Sequence, residues 1–538
     1  MEKIDKIVSF LEKGPLSIRT WIVSFGGIVA ARILIESLVF SFEQKTFDEF
    51  LGIIFGTVLF FLFSYIVLLV VLRFLVKEKI EKLASVLLWG QWMIIIPPIV
   101  DKLIFGDRKY WSFYIFGSVK EVIIKGLTFF GENPSFGITW GTRLLVLITV
   151  VGLGLYVFYK KRKIVWFFIG AISVYLVLYI LGAFPSFVSF VILPFAGVGL
   201  FAIEAEDIAK QFLTSLQLFG IENSGIKVVL HYKMGLVYNP LLFVFSVFLL
   251  FVSRRRWFFA LAKNVRYPQM IFNCGLFFLG VGLGWMRFPQ NFGIDFFEMM
   301  ALANAILAIF FAWYFSVVVN DLADIEIDQI SNQDRPLTSG AIKKSTYSDF
   351  GLIFALFALL SSLVVSKVFF LIIVGYLLVT WVYSSHPFRL KRFVLVSSIL
   401  SSFASLFFLL GGYLLISDFQ TLQFFPWRII SFLFIAYAFL IPLKDIKDIE
   451  GDQAKDVETL PVVLGEENAR IFLGVVLFVN YVLSPVIVDE RSLFLPAVLF
   501  GGISYWVITN QKHKPKTLPW WVLGIVTIYG MLLVLMIF

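Results

Sequence analysis

Cysteine is almost absent from this chain of 538 residues: Cys274 stands alone inside an apolar run, so no intrachain disulfide can form. Histidine is nearly as scarce, and His231, His386 and His513 are too scattered for any His/Cys zinc spacing. Charged residues make up only 15% of the chain. No Gly/Ser-rich or Pro-rich linker interrupts it. The apolar runs are long and do not alternate with polar residues, which excludes strands closed into a lipid-spanning barrel. The start, MEKIDKIVSFLEKGPL, mixes charges with apolar residues at helical spacing. It reads as an interfacial helix rather than a cleavable signal peptide.

What is abundant is apolar sequence: 60% of residues are hydrophobic and the mean hydropathy is +0.92. Runs of about 18 or more apolar residues recur throughout, which defines an all-α, polytopic membrane protein embedded in the bilayer. The net charge of +9 follows from Lys and Arg in cytoplasmic loops and does not imply nucleic acid.

In the first half, spans are expected at roughly 20–41, 50–76, 84–104, 142–159, 164–183, 186–203 and 236–253. The aromatic-rich segment 110–133 is compatible with a short span, a re-entrant piece or an interfacial helix. Arg32 and Glu36, four apart in the first span, are placed to pair; a structural ion pair and a polar pathway both fit them. The segment 204–235 is polar enough to lie outside the membrane core, with Ile208, Phe212, Leu216 and Leu218 on one face of an amphipathic helix. A boundary is expected after Arg254, Arg255 and Arg256, giving a multi-span domain over 1–256 and a second domain over 257–538. Nothing in the first domain points to a particular chemistry or protein partner.

From about 268 the pattern is regular, with nine candidate spans. Comparing alternate loops, one set holds eighteen Lys and Arg residues and the other only Arg287, Lys367, Arg428 and Arg491. This positive-inside bias puts two acidic stretches together on the cytoplasmic side. One is NDLADIEIDQISNQDR, Asn320 to Arg335; the other is KDIKDIEGDQAKD, Lys444 to Asp456. Each follows directly on an apolar run.

Positions i, i+3, i+4 and i+7 share a helix face. Asp321, Asp324 and Asp328 have that spacing, as do Asn320, Asp324 and Asp328, and Asp445, Asp448 and Asp452. Each helix therefore offers a column of carboxylates whose mutual repulsion near lipid is poorly screened. A hard divalent cation relieves it, and Mg2+ keeps part of its shell for substrate phosphate. The two columns together suit a metal-bound diphosphate. Arg335, Lys391, Arg392, Lys444 and Lys447 are candidates for the remaining phosphate oxygens. If the diphosphate carries an allylic chain, neutralising the leaving group is enough for the C–O bond to ionise, and no protein nucleophile is needed.

These residues resemble the UbiA-type intramembrane prenyltransferases. NDLADIEIDQISNQDRP is similar to that family's first signature, KDIKDIEGD followed by TLPVVLG to its second, and YSSHPFRLKR at 383–392 to the stretch between them. The resemblance covers about 260–538 and implies a nine-helix bundle that binds Mg2+ and a polyprenyl diphosphate and passes the prenyl chain to an acceptor. It implies catalytic carboxylates at Asp324, Asp328, Asp448 and Asp452, and metal ligands at Asn320, Asp324, Asp328, Asp448 and Asp452. Substrate contacts fall to Asn320, Asp321, Arg335, Lys391, Lys444 and Asp445. His386 stands where the family usually has Pro, and Asp456 where many members have Gly. An aromatic, quinone-precursor-type acceptor is the main expectation, and a glyceryl phosphate lipid, as in archaeal-type lipid synthesis, the alternative. A reading of another class is a non-enzymatic membrane scaffold or transporter. The intact carboxylate sets and the scarcity of charge inside the later spans argue against it.

Overall fold

In the computed structural model the described residues are all except 1, 15–16, 40–46, 107–114, 132–138, 214–225, 292, 294, 418–421, 454–458, 516 and 538. Leu216, Leu218, Lys455, Asp456 and parts of the 110–133 segment therefore lie outside the described residues. Every regular element among the described residues is a helix. Among the described residues fourteen helices are long and apolar enough to cross a membrane, six ending by Ser253 and eight following it. The protein is a multi-pass membrane protein. The chain packs as two compact units, Met1–Arg254 with Ile294–Ala301, and Arg255–Gly293 with Leu302–Phe538.

In the first unit the helix Phe47–Val76 packs along Ile226–Ser253, and Trp140–Lys161 along Ile164–Gly182. The amphipathic opening helix, Glu2–Leu11, is tied down just beyond its end: Glu12 meets Lys160 at 2.5 Å and Lys82 at 3.3 Å. Arg32 and Glu36 pair at 2.6 Å. Two expectations are corrected. The stretch 186–203 is not a span: the helix Phe184–Ile192 gives way to a 3-10 turn over Leu193–Ala196, where Pro194 cannot donate and Gly197 takes φ +87°. The polar stretch 204–235 is not all outside the span that follows. Ala205–Leu213 is a helix with Ile208 and Phe212 fully buried, but His231 to Lys233 already belong to the long helix beginning at Ile226.

The second unit comprises the helices Tyr267–Arg287, Phe296–Ala323 (from Leu302 on), Lys344–Val365, Lys367–Ser384, Val394–Ser417, Trp427–Leu440, Glu466–Val488, Phe494–Thr509 and Leu518–Ile537. The apolar part of the last, Leu518–Leu533, is shorter than the eight spans. Tyr267–Arg287 and Val394–Ser417 meet backbone to backbone. A Cβ on Gly280 would sit 2.0 Å from the Leu409 carbonyl oxygen, and one on Gly412 would sit 2.1 Å from that of Phe277. Small residues let helices approach this closely in lipid, where association depends on packing rather than on water.

Both acidic stretches depart from a continuous α-helix. The long helix ends at Ala323, Asp324 takes φ −109° and ψ 20°, and a short helix restarts over Ile325–Ser331. The second stretch is a 3-10 helix over Ile441–Asp448, continued as α over Ile449–Gln453. Residues three apart eclipse in a 3-10 helix, so Asp445 and Asp448 still share a face.

Candidate active site

The short helices Ile325–Ser331 and Ile449–Gln453 pack against each other. Gly451 permits it: a Cβ there would fall 2.2 Å from Ser331 Oγ and 3.1 Å from Ile327 Cγ2. This contact brings the two acidic stretches face to face.

Asp321 is at the centre and is only 1% exposed. Its Oδ1 accepts from Arg266 Nη2 at 2.5 Å and Arg335 Nη1 at 3.1 Å. Its Oδ2 accepts from Asn264 Nδ2 at 2.7 Å and the Tyr347 hydroxyl at 2.8 Å. Asp321, expected to contact substrate, is thus engaged by four protein donors.

Asp324, at that break, pairs with Lys391 and accepts from Arg389 Nη2 at 3.2 Å. Lys391 also donates to Asn320 Oδ1 at 3.3 Å. Asp328 pairs with Arg335, so one guanidinium spans Asp321 and Asp328, seven residues apart. On the second stretch Lys447 lies 3.1 Å from Asp448. Asp452 accepts from Thr459 Oγ1 at 3.5 Å. Lys444, beside Asp445, places its ammonium 5.9 Å from the centroid of the Tyr383 ring. Asn332 joins the halves, donating to Asp328 at 3.2 Å and to Asp448 at 2.9 Å. Of the other candidates, the Arg392 guanidinium lies 5.0 Å from the Phe393 ring and His386 is exposed.

Burial shapes the electrostatics. It pushes the Asp328 carboxyl up to about 6, against the lowering pull of Arg335. Burial likewise brings the Lys391 ammonium below its ordinary value, opposed by Asp324. For Arg335 burial is outweighed by Asp321 and Asp328, and its value rises.

Sequence does not single out Arg266, Asn264, Tyr347 or Asn332: Asn264 and Arg266 lie more than fifty residues before Asp321 and match no motif. Arg389 is marked by the 383–392 stretch and its basic loop.

Among the described residues, six carboxylates (Asp321, Asp324, Asp328, Asp445, Asp448, Asp452) thus stand with six cations (Arg266, Arg335, Arg389, Lys391, Lys444, Lys447). Among the described residues no three His, Cys, Asp or Glu side chains converge as a ready-made metal cluster. Mg2+ is commonly held by one or two carboxylates together with substrate phosphate. The donors are hard oxygens, and a balanced site favours a ligand that brings its own counter-charge, as a metal-bound diphosphate does. The residues present fit the ion.

Residues 276–523 match the model of the UbiA prenyltransferase family. The C-terminal half of this chain belongs to that family, and the protein is a prenyltransferase. Digeranylgeranylglyceryl phosphate synthase of Methanosphaera stadtmanae is 27% identical over 222 residues, 39% of this chain and 77% of that protein. The enzyme of the same name from Sulfolobus acidocaldarius is 34% identical over 168 residues, 30% of this chain and 58% of its own. Among solved structures, a UbiA homolog from Archaeoglobus fulgidus bound to DMAPP and Mg2+ aligns with a TM-score of 0.40 at 20% identity. It covers 52% of this chain and 96% of that one. The apo UbiA homolog from Aeropyrum pernix K1 gives a TM-score of 0.39 at 16% identity, covering 50% and 98%.

Proposed function

We propose that the protein transfers a prenyl chain from a polyprenyl diphosphate to a glyceryl phosphate lipid acceptor, with Mg2+, at the cytoplasmic face of the membrane. The observation that carries the acceptor is that the relatives above are named as digeranylgeranylglyceryl phosphate synthases. They favour this alternative over the aromatic acceptor expected from sequence. The eighteen-to-four distribution of basic loop residues supports the cytoplasmic placement.

Asp324, Asp328, Asp448 and Asp452, with Asn320, would hold Mg2+, which neutralises a diphosphate as it leaves. Arg335, Lys391 and Lys447 turn from their carboxylates toward the phosphate oxygens. Lys444 and Asp445 flank the same face. Asp321 acts from behind, fixing Arg266 and Arg335. The allylic C–O bond breaks with its electrons going to diphosphate, and the acceptor hydroxyl forms the new C–O bond and releases its proton. Arg389 and Arg392 of the basic loop are the candidates for the acceptor's own phosphate.

Purified protein in nanodiscs, given radiolabelled prenyl diphosphates with a prenylated glyceryl phosphate or an aromatic acid, tests this. Mg2+-dependent, EDTA-sensitive transfer to the glyceryl phosphate is expected. Transfer to the aromatic acceptor alone would overturn the acceptor. The absence of any diphosphate consumption would overturn the mechanism.

A further inference from the structure

Asn332 belongs to neither column of carboxylates, yet its side chain is where they meet. Its Nδ2 donates to Asp328 Oδ1 at 3.2 Å and to Asp448 Oδ1 at 2.9 Å. Its Oδ1 accepts from Lys447 Nζ at 3.3 Å. Lys447 in turn donates to Asp448 Oδ1 at 3.2 Å. Only this orientation of the amide is chemically consistent: reversed, a carbonyl oxygen would face two carboxylates and an NH2 group would face an ammonium. Asn332 is buried, and it follows directly on Ser331, whose hydroxyl lies against Gly451. A single residue therefore hydrogen-bonds to both acidic stretches, next to the site where Gly451 packs on Ser331.

We infer that Asn332 is a positioning residue that sets the spacing between the two acidic stretches, and with it the affinity of the site for a metal-bound diphosphate. Two facing carboxylates with nothing between them repel, and a cation normally draws them together. The Asn332 amide supplies two donors at that position without adding charge, so the gap is already set when the ligand arrives. Being neutral, it yields to a divalent ion more readily than a second ammonium would. Groups that orient metal ligands without touching the ion typically change metal affinity by about 10–100-fold when removed. This inference rests on the prenyltransferase reading of the same site.

The test compares wild type, Asn332→Ala and Asn332→Asp, reading Mg2+-dependent thermal stability and the Mg2+ dependence of prenyl transfer. In Asn332→Ala the Mg2+ concentration for half-maximal rate is expected to rise about tenfold, with kcat at saturating Mg2+ close to wild type. Asn332→Asp keeps the shape but puts a third carboxylate between Asp328 and Asp448. Its melting temperature without Mg2+ is expected to fall, and Mg2+ is expected to raise it by more than in wild type. A residue that only supports the fold would show neither the kcat-sparing shift nor the rescue. Wild-type Mg2+ dependence in Asn332→Ala, or a melting temperature in Asn332→Asp that ignores Mg2+, would overturn the inference while leaving the enzyme reading intact. If wild-type protein itself shows no Mg2+ effect on stability or rate, that reading fails and the inference falls with it.

Discussion

Replacing Asp321 by alanine separates two roles that a carboxylate in such a motif can have. Asp321 is 1% exposed and holds two guanidiniums, a phenol and an amide. Its removal leaves Arg266 and Arg335 without their shared counter-charge and takes one acceptor from Tyr347 and Asn264, which still bond each other at 2.9 Å. Breaking a buried ion pair by deleting one partner costs about 3–5 kcal/mol. The remaining pair between Arg335 and Asp328, and water reaching Arg266, offset part of this, so we expect about 3 kcal/mol. For a unit of this size that corresponds to a fall in melting temperature of roughly 6–12 °C. Differential scanning fluorimetry of the purified protein, without ligand, reads it. Asp324→Ala is the comparison: its partners are Arg389, whose side chain is 26% exposed, and Lys391, which still donates to Asn320. It should lose transfer and lower the melting temperature by less than Asp321→Ala does. If Asp321→Ala melts like wild type and only the KM for prenyl diphosphate rises, Asp321 faces the ligand and the anchoring argument is wrong.

Asp448→Ala should abolish Mg2+-dependent transfer in the radiolabel assay, since it removes the carboxylate that both Lys447 and Asn332 contact. Asp328, raised to about 6 by burial, gives a signed pH dependence. A carboxyl whose folded value lies above its unfolded one favours the fold at low pH, and that contribution is lost as pH rises through about 6. Activity runs the other way: kcat/KM should fall as pH drops below about 6, and more Mg2+ should move that limb downward because the metal competes with the proton. Gly280→Ala places a Cβ 2.0 Å from a backbone carbonyl. The helices must part, costing about 1–3 kcal/mol, seen as a lower melting temperature with the Mg2+ response unchanged.

The spans were legible because lipid demands long apolar runs, and the acidic stretches because charge at the end of such a run is conspicuous. The stretch 186–203 misled by composition: it is as apolar as a span, but Pro194 and Gly197 end its helix after a few turns. The carboxylate columns were read at ideal helical spacing, and the break at Asp324 could not be seen in a motif that scans smoothly through it. The Asp321 partners Arg266 and Asn264 come from the entry to another span, a long-range pairing that no local pattern encodes. Asn332 was hidden for a different reason: an amide between charged residues reads as an ordinary loop residue until the second stretch lies against it.

The matching of six carboxylates to six cations bears on selectivity. A strongly basic pocket would attract every polyanion that reaches it, including free phosphate and nucleotides. Here each ammonium and guanidinium already has a carboxylate partner or a close carboxylate neighbour, so a metal-free anion must displace one in a low-dielectric setting and leave it buried. On the proposed function, a diphosphate arriving with its divalent ion would exchange partners on both sides at once, carboxylates going to metal and cations to phosphate. Such a site would discriminate against abundant free anions by the charge of the complex, before the length of the prenyl chain or the nature of the acceptor comes into play.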